Sequence, residues 1–292
     1  MYPSRFRYEA PRSLDEAIST LRDGGDYAKV LAGGQSLVPM MKLRFASPEL
    51  VVDINNVPGL DYHRAEPDGT LRVGALCRHA VLERSDLLKS TQPTMASAAP
   101  LIADPIVRNR GTLVGSLCHA DPQGDWASVV LALGGSVVAR GSGGTRTIPL
   151  ADFVTGPFQN VLDPDEIVVE AVIPAAQGIR SGGYLKLERR VGDFATVGVA
   201  VALESGADGV VQRAGIALTG VGGSTIAATE AAAALTGQPL TTETIAAAAR
   251  LAAAAAQPRT DHRGSAAYKK HMVSTFVQRL LSRAGGAAER AA

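Results

Sequence analysis

Leu14, Ala17, Ile18 and Leu21 recur at helical spacing behind a Ser13/Glu16 capping pair, and Gly24-Gly25 ends the run, so an amphipathic helix is predicted near the start of the chain. β-like runs follow at 28–32 and 50–54. The first enters the pair Gly33-Gly34, and the second a polar turn around Asn55, Asn56 and Pro58. From about residue 70 to 175 the pattern predicts strands over 71–76, 136–140 and 166–173 and helices over 79–84 and 125–133. Residues 141–144 read as a hairpin turn and 145–149 as the returning strand. This mixture is an α/β pattern. After Pro174 it changes: strands over 184–190, 196–203 and 210–218, separated only by polar turns, predict an antiparallel meander. Helices over 227–235 and 244–256 follow, then a last one in which Tyr268, Met272, Phe276 and Leu280 fall four apart. The change of pattern places a boundary near residue 177, and a disordered tail is expected over 284–292.

The 292 residues suffice for about two domains with a sizeable core. With 29 basic and 28 acidic residues, a net charge of +1 leaves no electrostatic reason to expect nucleic acid or an anionic membrane as the main partner. No apolar run is long enough to span a bilayer and no apolar signal core follows Met1, so a cytoplasmic location is expected. Cys77 and Cys118 cannot supply a four-cysteine iron–sulfur site, and the five histidines show no metal-ligand spacing. Neither a Rossmann nor a Walker glycine motif is present, nor a G-x-S-x-G elbow. The 31 glycines exceed the usual share and cluster in pairs, which points to close backbone approaches.

Three segments carry candidate chemistry. In Ala32-Gly33-Gly34-Gln35-Ser36-Leu37, two glycines and a hydroxyl let consecutive backbone N–H groups converge on an anion such as a diphosphate; a tight turn uses the same residues. The second spans 107–122, with Asp125 shortly after. There Gly111 and Gly115 bracket a short apolar step, and Thr112 and Ser116 supply hydroxyls for a second face of the same ligand; a plain glycine-rich loop fits equally. In the third, 184–190, alternation puts Tyr184, Lys186 and Glu188 on one face. A strand lysine beside a cofactor stabilises negative charge developing there, whereas most lysines at such positions are solvated.

Read together, 32–44, 108–122, Lys186 with Arg189, Arg190, Asp193 and Ala195, and a fourth segment at 261–268 resemble the FAD-binding subunits of molybdenum hydroxylases, most of all the medium subunits of aerobic carbon monoxide dehydrogenases. The likeness covers the chain to about Arg283. It implies an α+β, vanillyl-alcohol-oxidase (PCMH)-type FAD-binding fold. Two α/β subdomains, about 1–57 and 58–177, would form a FAD-binding domain over 1–177, and a C-terminal antiparallel sheet plus helices would occupy 178–283. The resemblance further implies that Ala32, Gly33, Gly34, Gln35 and Ser36, with Thr112, Leu113, Val114, Gly115 and Ser116, wrap the FAD diphosphate. Asp125 would bind the ribityl or adenosine side, Lys186 would approach the flavin, and the Val168 backbone would touch the adenine; Ile102 is a further candidate. No residue of this chain is expected to be catalytic or to bind metal. Relatives usually carry two adjacent glycines where this chain has Val114-Gly115. A β-branched residue avoids positive φ, so either Val114 has ordinary backbone angles or the loop follows another path.

Functionally, the resemblance implies a relay. Electrons from [2Fe–2S] clusters on a small partner subunit, fed by a large subunit holding the molybdenum cofactor, would pass through FAD to an external acceptor, expected to be a quinone. The assembly would be a dimer of heterotrimers, cytoplasmic or peripheral at the inner membrane face through its partners. The chain alone would not oxidise CO. Alternatives are the same subunit in a xanthine, aldehyde or N-heterocycle dehydrogenase, a free-standing flavin oxidase, for which the chain is short, and a non-redox small-molecule-binding α/β module that would purify colourless.

Overall fold

All four residues of the strand Leu50–Asp53 are buried, as a central strand requires. It is the middle of a parallel three-stranded sheet, between Arg7–Glu9 and Ala28–Leu31, in the computed structural model, which describes residues 2–288. Helix Leu14–Gly24 lays Ala17, Ile18 and Leu21 on this sheet. Ser13 Oγ accepts from Glu16 N at 3.2 Å, while the Glu16 carboxylate reaches past Ser13 to Arg12 N at 2.9 Å.

The second unit is a five-stranded antiparallel sheet ordered His63–Ala65, Leu71–Gly74, Ile167–Ile173, Ser136–Gly141, Gly144–Pro149. Its central strand is the last in sequence, so the intervening helices are held between strands that pair in one sheet. Helix Asp125–Ala132 is buried at seven positions, Trp126 completely.

The predicted meander forms the third unit: Ile179–Leu187, Val197–Ser205, Val211–Thr219 and the short Ile226–Ala227 pair antiparallel in that order. Val197–Ser205 is buried at all nine positions, and its alternation sorts them. Val197, Val199, Val201 and Leu203 join a core with helices Thr242–Ala255 and Ala266–Ala288, whereas Ala200 and Ala202, with Ala217 and Tyr184 of the neighbouring strands, join the core of the first two units. Each large apolar side chain so buried contributes roughly 1.5–3 kcal/mol. The second face carries small residues because helices Pro93–Ala98 and Asp125–Ala132 lie directly on it. A Cβ on Gly215 would stand 1.8 Å from the Ala132 carbonyl oxygen.

The last helix differs from expectation. It runs past Arg283, where the sequence places the start of a disordered tail, through Gly285 and Gly286 to Ala288. Ala284 is buried in the C-terminal core, and tertiary packing outweighs the helix penalty of two glycines. The remainder of that expected tail, 289–292, lies outside the described residues. Helices Asp86–Thr91, Pro93–Ala98, Pro105–Arg108 and Leu113–His119 are also additional to the sequence reading. Each is seven residues or shorter, at most two turns, so its pattern is weak, although the equally short His79–Arg84 appears as predicted.

Candidate functional site

Strand Ala28–Leu31 delivers the chain to 32–36, where Gly34 takes φ +74 and the short helix Leu37–Lys42 begins. Among the described residues, nothing accepts a hydrogen bond from the backbone N–H of Gly34, Gln35 or Ser36, and the Ser36 and Ser116 hydroxyls have no partner. The second glycine segment lies against the first. A Cβ on Gly33 would stand 2.3 Å from the Arg110 carbonyl oxygen and 2.7 Å from Gly111 Cα. The two segments, remote in sequence, therefore meet backbone to backbone, and only glycine permits it.

The second segment is less a loop than a helix start. Thr112 is its N-cap, with Oγ1 accepting from Gly115 N at 3.1 Å, and Leu113–His119 is helical. Val114 therefore has ordinary backbone angles, the first of the two possibilities. Leu113 and Val114 turn their side chains into the core, so only their backbone remains to meet a ligand. The Thr112 hydroxyl, expected as a ligand donor, is already committed to the cap.

Two residues that the sequence did not single out hold the segments together. Asn55 Nδ2 donates to Ala32 O at 2.8 Å, and Asn55 Oδ1 accepts from Arg78 Nη2 at 2.5 Å. Arg78 Nη1 donates to Arg110 O at 2.8 Å. Asn55 had been visible only as part of a turn, and Arg78 carried no signal, since hydrogen bonds between distant segments leave no local pattern.

Behind the second segment, His79 N donates to Gly111 O at 2.9 Å, and the ring Nδ1 accepts from Trp126 Nε1 at 3.0 Å. Burial, then the nearby Arg108 and Arg78 charges, push His79 down from its ordinary 6.5 to about 4. An unfolded chain binds a proton here at a pH where the folded chain does not, so this residue's contribution to stability is full above pH 6.5 and falls as pH drops toward 4. The expected loss is about 2 kcal/mol between pH 7 and 5. Urea unfolding at the two pH values should show it, and His79→Gln should flatten that part of the slope.

The residue just before Trp126 belongs to a second cluster. Asp125 Oδ1 accepts from Tyr184 OH at 2.6 Å, and Oδ2 lies 3.1 Å from Lys186 Nζ. Lys186 also donates to Leu101 O at 3.0 Å and stands 3.3 Å from Glu188 Oε2. Tyr184, Lys186 and Glu188 share a face as alternation required. The Lys186 side chain, however, is 1 % exposed, which excludes the solvated reading. Burial raises Asp125 above the usual carboxylate range although Lys186 draws it down, and it raises Tyr184 well above 10. Ile102, beside Leu101, is buried and its carbonyl accepts from Arg108 Nη1. Val168 is buried in the central strand, whose pairing with Ser136–Gly141 shifts register between Val168 and Glu170, and that strand packs against helix Leu113–His119. The structure thus brings 32–36 and 110–112 into contact, joins Asp125 to Lys186, and links the two groups through Trp126, His79 and Gly111.

The open N–H groups, the free hydroxyls and a glycine contact with no room for Cβ fit a diphosphate-bearing cofactor. Cys77 and Cys118 are pushed up to about 12 by burial and are not poised nucleophiles. Among the described residues, no three of His, Cys, Asp or Glu gather where they could share a metal ion, and no helix is long and apolar enough to cross a membrane.

Comparison with known proteins gives a consistent result. Residues 4–176 match the family described as FAD binding domain in molybdopterin dehydrogenase, and 183–284 match the CO dehydrogenase flavoprotein C-terminal domain. The chain is 41% identical to the carbon monoxide dehydrogenase medium chain of Hydrogenophaga pseudoflava, covering 97% of this chain and 98% of that one. It is 39% identical to the 6-hydroxypseudooxynicotine dehydrogenase complex subunit alpha of Paenarthrobacter nicotinovorans, covering 97% and 96%. A solved carbon monoxide dehydrogenase from H. pseudoflava, lacking the Mo-pyranopterin moiety of its cofactor, contains a chain that superposes with a TM-score of 0.92 at 42% identity, over 99% of both.

Proposed function

The chain belongs to the FAD-binding subunits of the molybdenum hydroxylases, and from that membership we propose that it is the electron-transfer flavoprotein subunit of a carbon monoxide dehydrogenase. The observation that carries the reading is the 41% identity, spread over nearly the whole length of a carbon monoxide dehydrogenase medium chain. FAD supplies, when bound, the capacity to take up and release electrons singly or in pairs, where iron–sulfur clusters pass one at a time.

The residues divide the work of holding it. The N–H groups of Ala32, Gly33, Gly34, Gln35 and Ser36 and the backbone of Thr112, Leu113, Val114, Gly115 and Ser116 form two faces of the diphosphate cradle, with the Ser36 and Ser116 hydroxyls as additional donors. Asp125 and Lys186 serve the ribityl and flavin side as a mutually fixed pair, a preset charge arrangement that needs no reorganisation when electrons arrive. Ile102 and the Val168 backbone complete the contacts. The FAD-binding part spans 1–177 and the C-terminal part 178–283. The partners are a small [2Fe–2S] subunit and a large molybdenum subunit in a dimer of heterotrimers, the acceptor is a quinone, and the assembly is cytoplasmic or held at the inner membrane face by its partners.

A second reading is favoured by the 39% identity to a subunit acting in 6-hydroxypseudooxynicotine oxidation, since the substrate-oxidising site lies outside this chain in either case. Anaerobic addition of CO to the purified complex separates them. The oxidised-flavin absorbance should bleach with CO and return on adding a quinone. Absorbance unchanged by CO but bleached by 6-hydroxypseudooxynicotine would transfer the assignment to the second reading.

A further inference from the structure

Arg78 forms no ion pair among the described residues. Its guanidinium instead spans two neutral acceptors, Asn55 Oδ1 and the Arg110 carbonyl, and Asn55 carries the connection on to the Ala32 carbonyl. We propose that Asn55 and Arg78 act as one positioning unit, a clasp that sets the separation and orientation of the two glycine segments and so governs how tightly the FAD diphosphate is gripped. The inference rests on the FAD reading above and assigns that site two residues outside the glycine segments.

The carbonyls held are those that precede the close-contact glycines. A peptide group is planar and its C=O and N–H point in opposite directions, so pinning Ala32 O fixes the direction of the Gly33 N–H. The Arg110–Gly111 peptide is pinned at both ends, by Arg78 at its oxygen and by Val107 O, which accepts from Gly111 N at 2.7 Å. Asn55 is itself held: Asp53 Oδ1 accepts from its backbone N at 2.9 Å and from its Nδ2 at 2.5 Å, and Asp53 Oδ2 accepts from Tyr8 OH at 2.5 Å. With both amide donors and the amide oxygen assigned, the Asn55 side chain has a single orientation. Asn55 hangs from the parallel sheet, whereas Arg78 caps helix His79–Arg84 beside the antiparallel one. The clasp therefore ties together the two units that carry the two faces of the cradle. A planar fork reaches two acceptors at once, which a lysine ammonium does not do in the same geometry. Burial and then the adjacent Arg110 charge disfavour the Arg78 cation, more than Asp61 and Asp53 favour it, so an anion entering the cradle relieves a charge that forms no ion pair among the described residues.

The test is a double-mutant cycle on the full chain, with FAD titrated into flavin-free protein and the thermal midpoint of the flavin-free form recorded for every variant. Arg78→Met and Asn55→Ala should each weaken FAD binding roughly 10- to 100-fold. The double variant should be no weaker than the poorer single variant within about twofold, because one broken link opens the clasp. Arg78→Lys, which keeps the charge and serves as the fold-safe variant, should remain at least about tenfold weak. Losses that multiply in the double variant, full rescue by lysine, or unchanged affinity would each overturn the clasp while leaving FAD binding by the wild type intact. A wild-type chain that binds no FAD overturns the functional reading and the clasp with it.

Discussion

Gly33→Val should purify nearly free of flavin while keeping a cooperative unfolding transition. The substitution is not strained by its own dihedrals, since Gly33 is absent from the residues with positive φ. What it meets is the Arg110 carbonyl oxygen at 2.3 Å and Gly111 Cα at 2.7 Å, both backbone atoms that can give way only by moving the second segment bodily outward. Overpacking of this kind costs about 1–3 kcal/mol, and here the strain is relieved by parting the two faces of the cradle, so the loss falls on FAD affinity as roughly a 10- to 100-fold reduction. Gly33→Ala meets the same two atoms with its single carbon and should show much of the effect. Gly143→Ala is the control. It lies in the turn between Ser136–Gly141 and Gly144–Pro149, and its Cβ would meet nothing within 4 Å. The measurement is flavin absorbance per protein. Full flavin occupancy in Gly33→Val would remove these glycines from the cofactor site.

Lys186→Met should be the most destabilising change to a charged residue, by about 3–5 kcal/mol in urea unfolding at neutral pH. Lys186 is enclosed with two carboxylates and a carbonyl, and removing it leaves the buried Asp125 and the largely buried Glu188 without their cation. Asp125 is already raised by burial and would be raised further, so the deficit should shrink at lower pH as the carboxyl takes up a proton. Adding Asp125→Asn removes one stranded charge while retaining an acceptor for the Tyr184 hydroxyl, and the double variant should recover a substantial part of the loss. A Lys186→Met variant as stable as the wild type, or a double variant worse by the sum of both changes, would show that the cluster does not behave as a buried ion pair. The effect of Lys186 on the flavin is best read in a variant that folds, as the reduction potential of the double substitution against Asp125→Asn alone.

The legible elements were those long enough to show a period: the capped first helix, the strands of the antiparallel meander, and the last helix with its four-residue repeat. Of the short helices, His79–Arg84 was legible and most of the others were not. Leu113–His119 looked like a loop because Thr112, Val114 and Gly115 are all poor helix residues, and it is helical because a threonine cap and three buried apolar side chains outweigh their propensities. The glycine excess pointed correctly to close approaches. Which backbones approach was not visible, because Gly33 with Arg110, and Gly215 with Ala132, are pairs remote in sequence.

The same division runs through the site. Sequence alone determined the chemistry available: hydroxyls and adjacent glycines at 32–36 and 111–116, a lysine sharing a strand face with a tyrosine and a glutamate, and too few cysteines for a four-cysteine cluster. These follow from composition and from the local periods of helix and strand, which act within a few residues. Only the tertiary structure decided that the two glycine segments touch, that Asn55 and Arg78 hold them, and that Lys186 is sealed against Asp125. Each of those outcomes is a hydrogen bond, an ion pair or a van der Waals limit between segments remote in sequence that meet only in the folded chain.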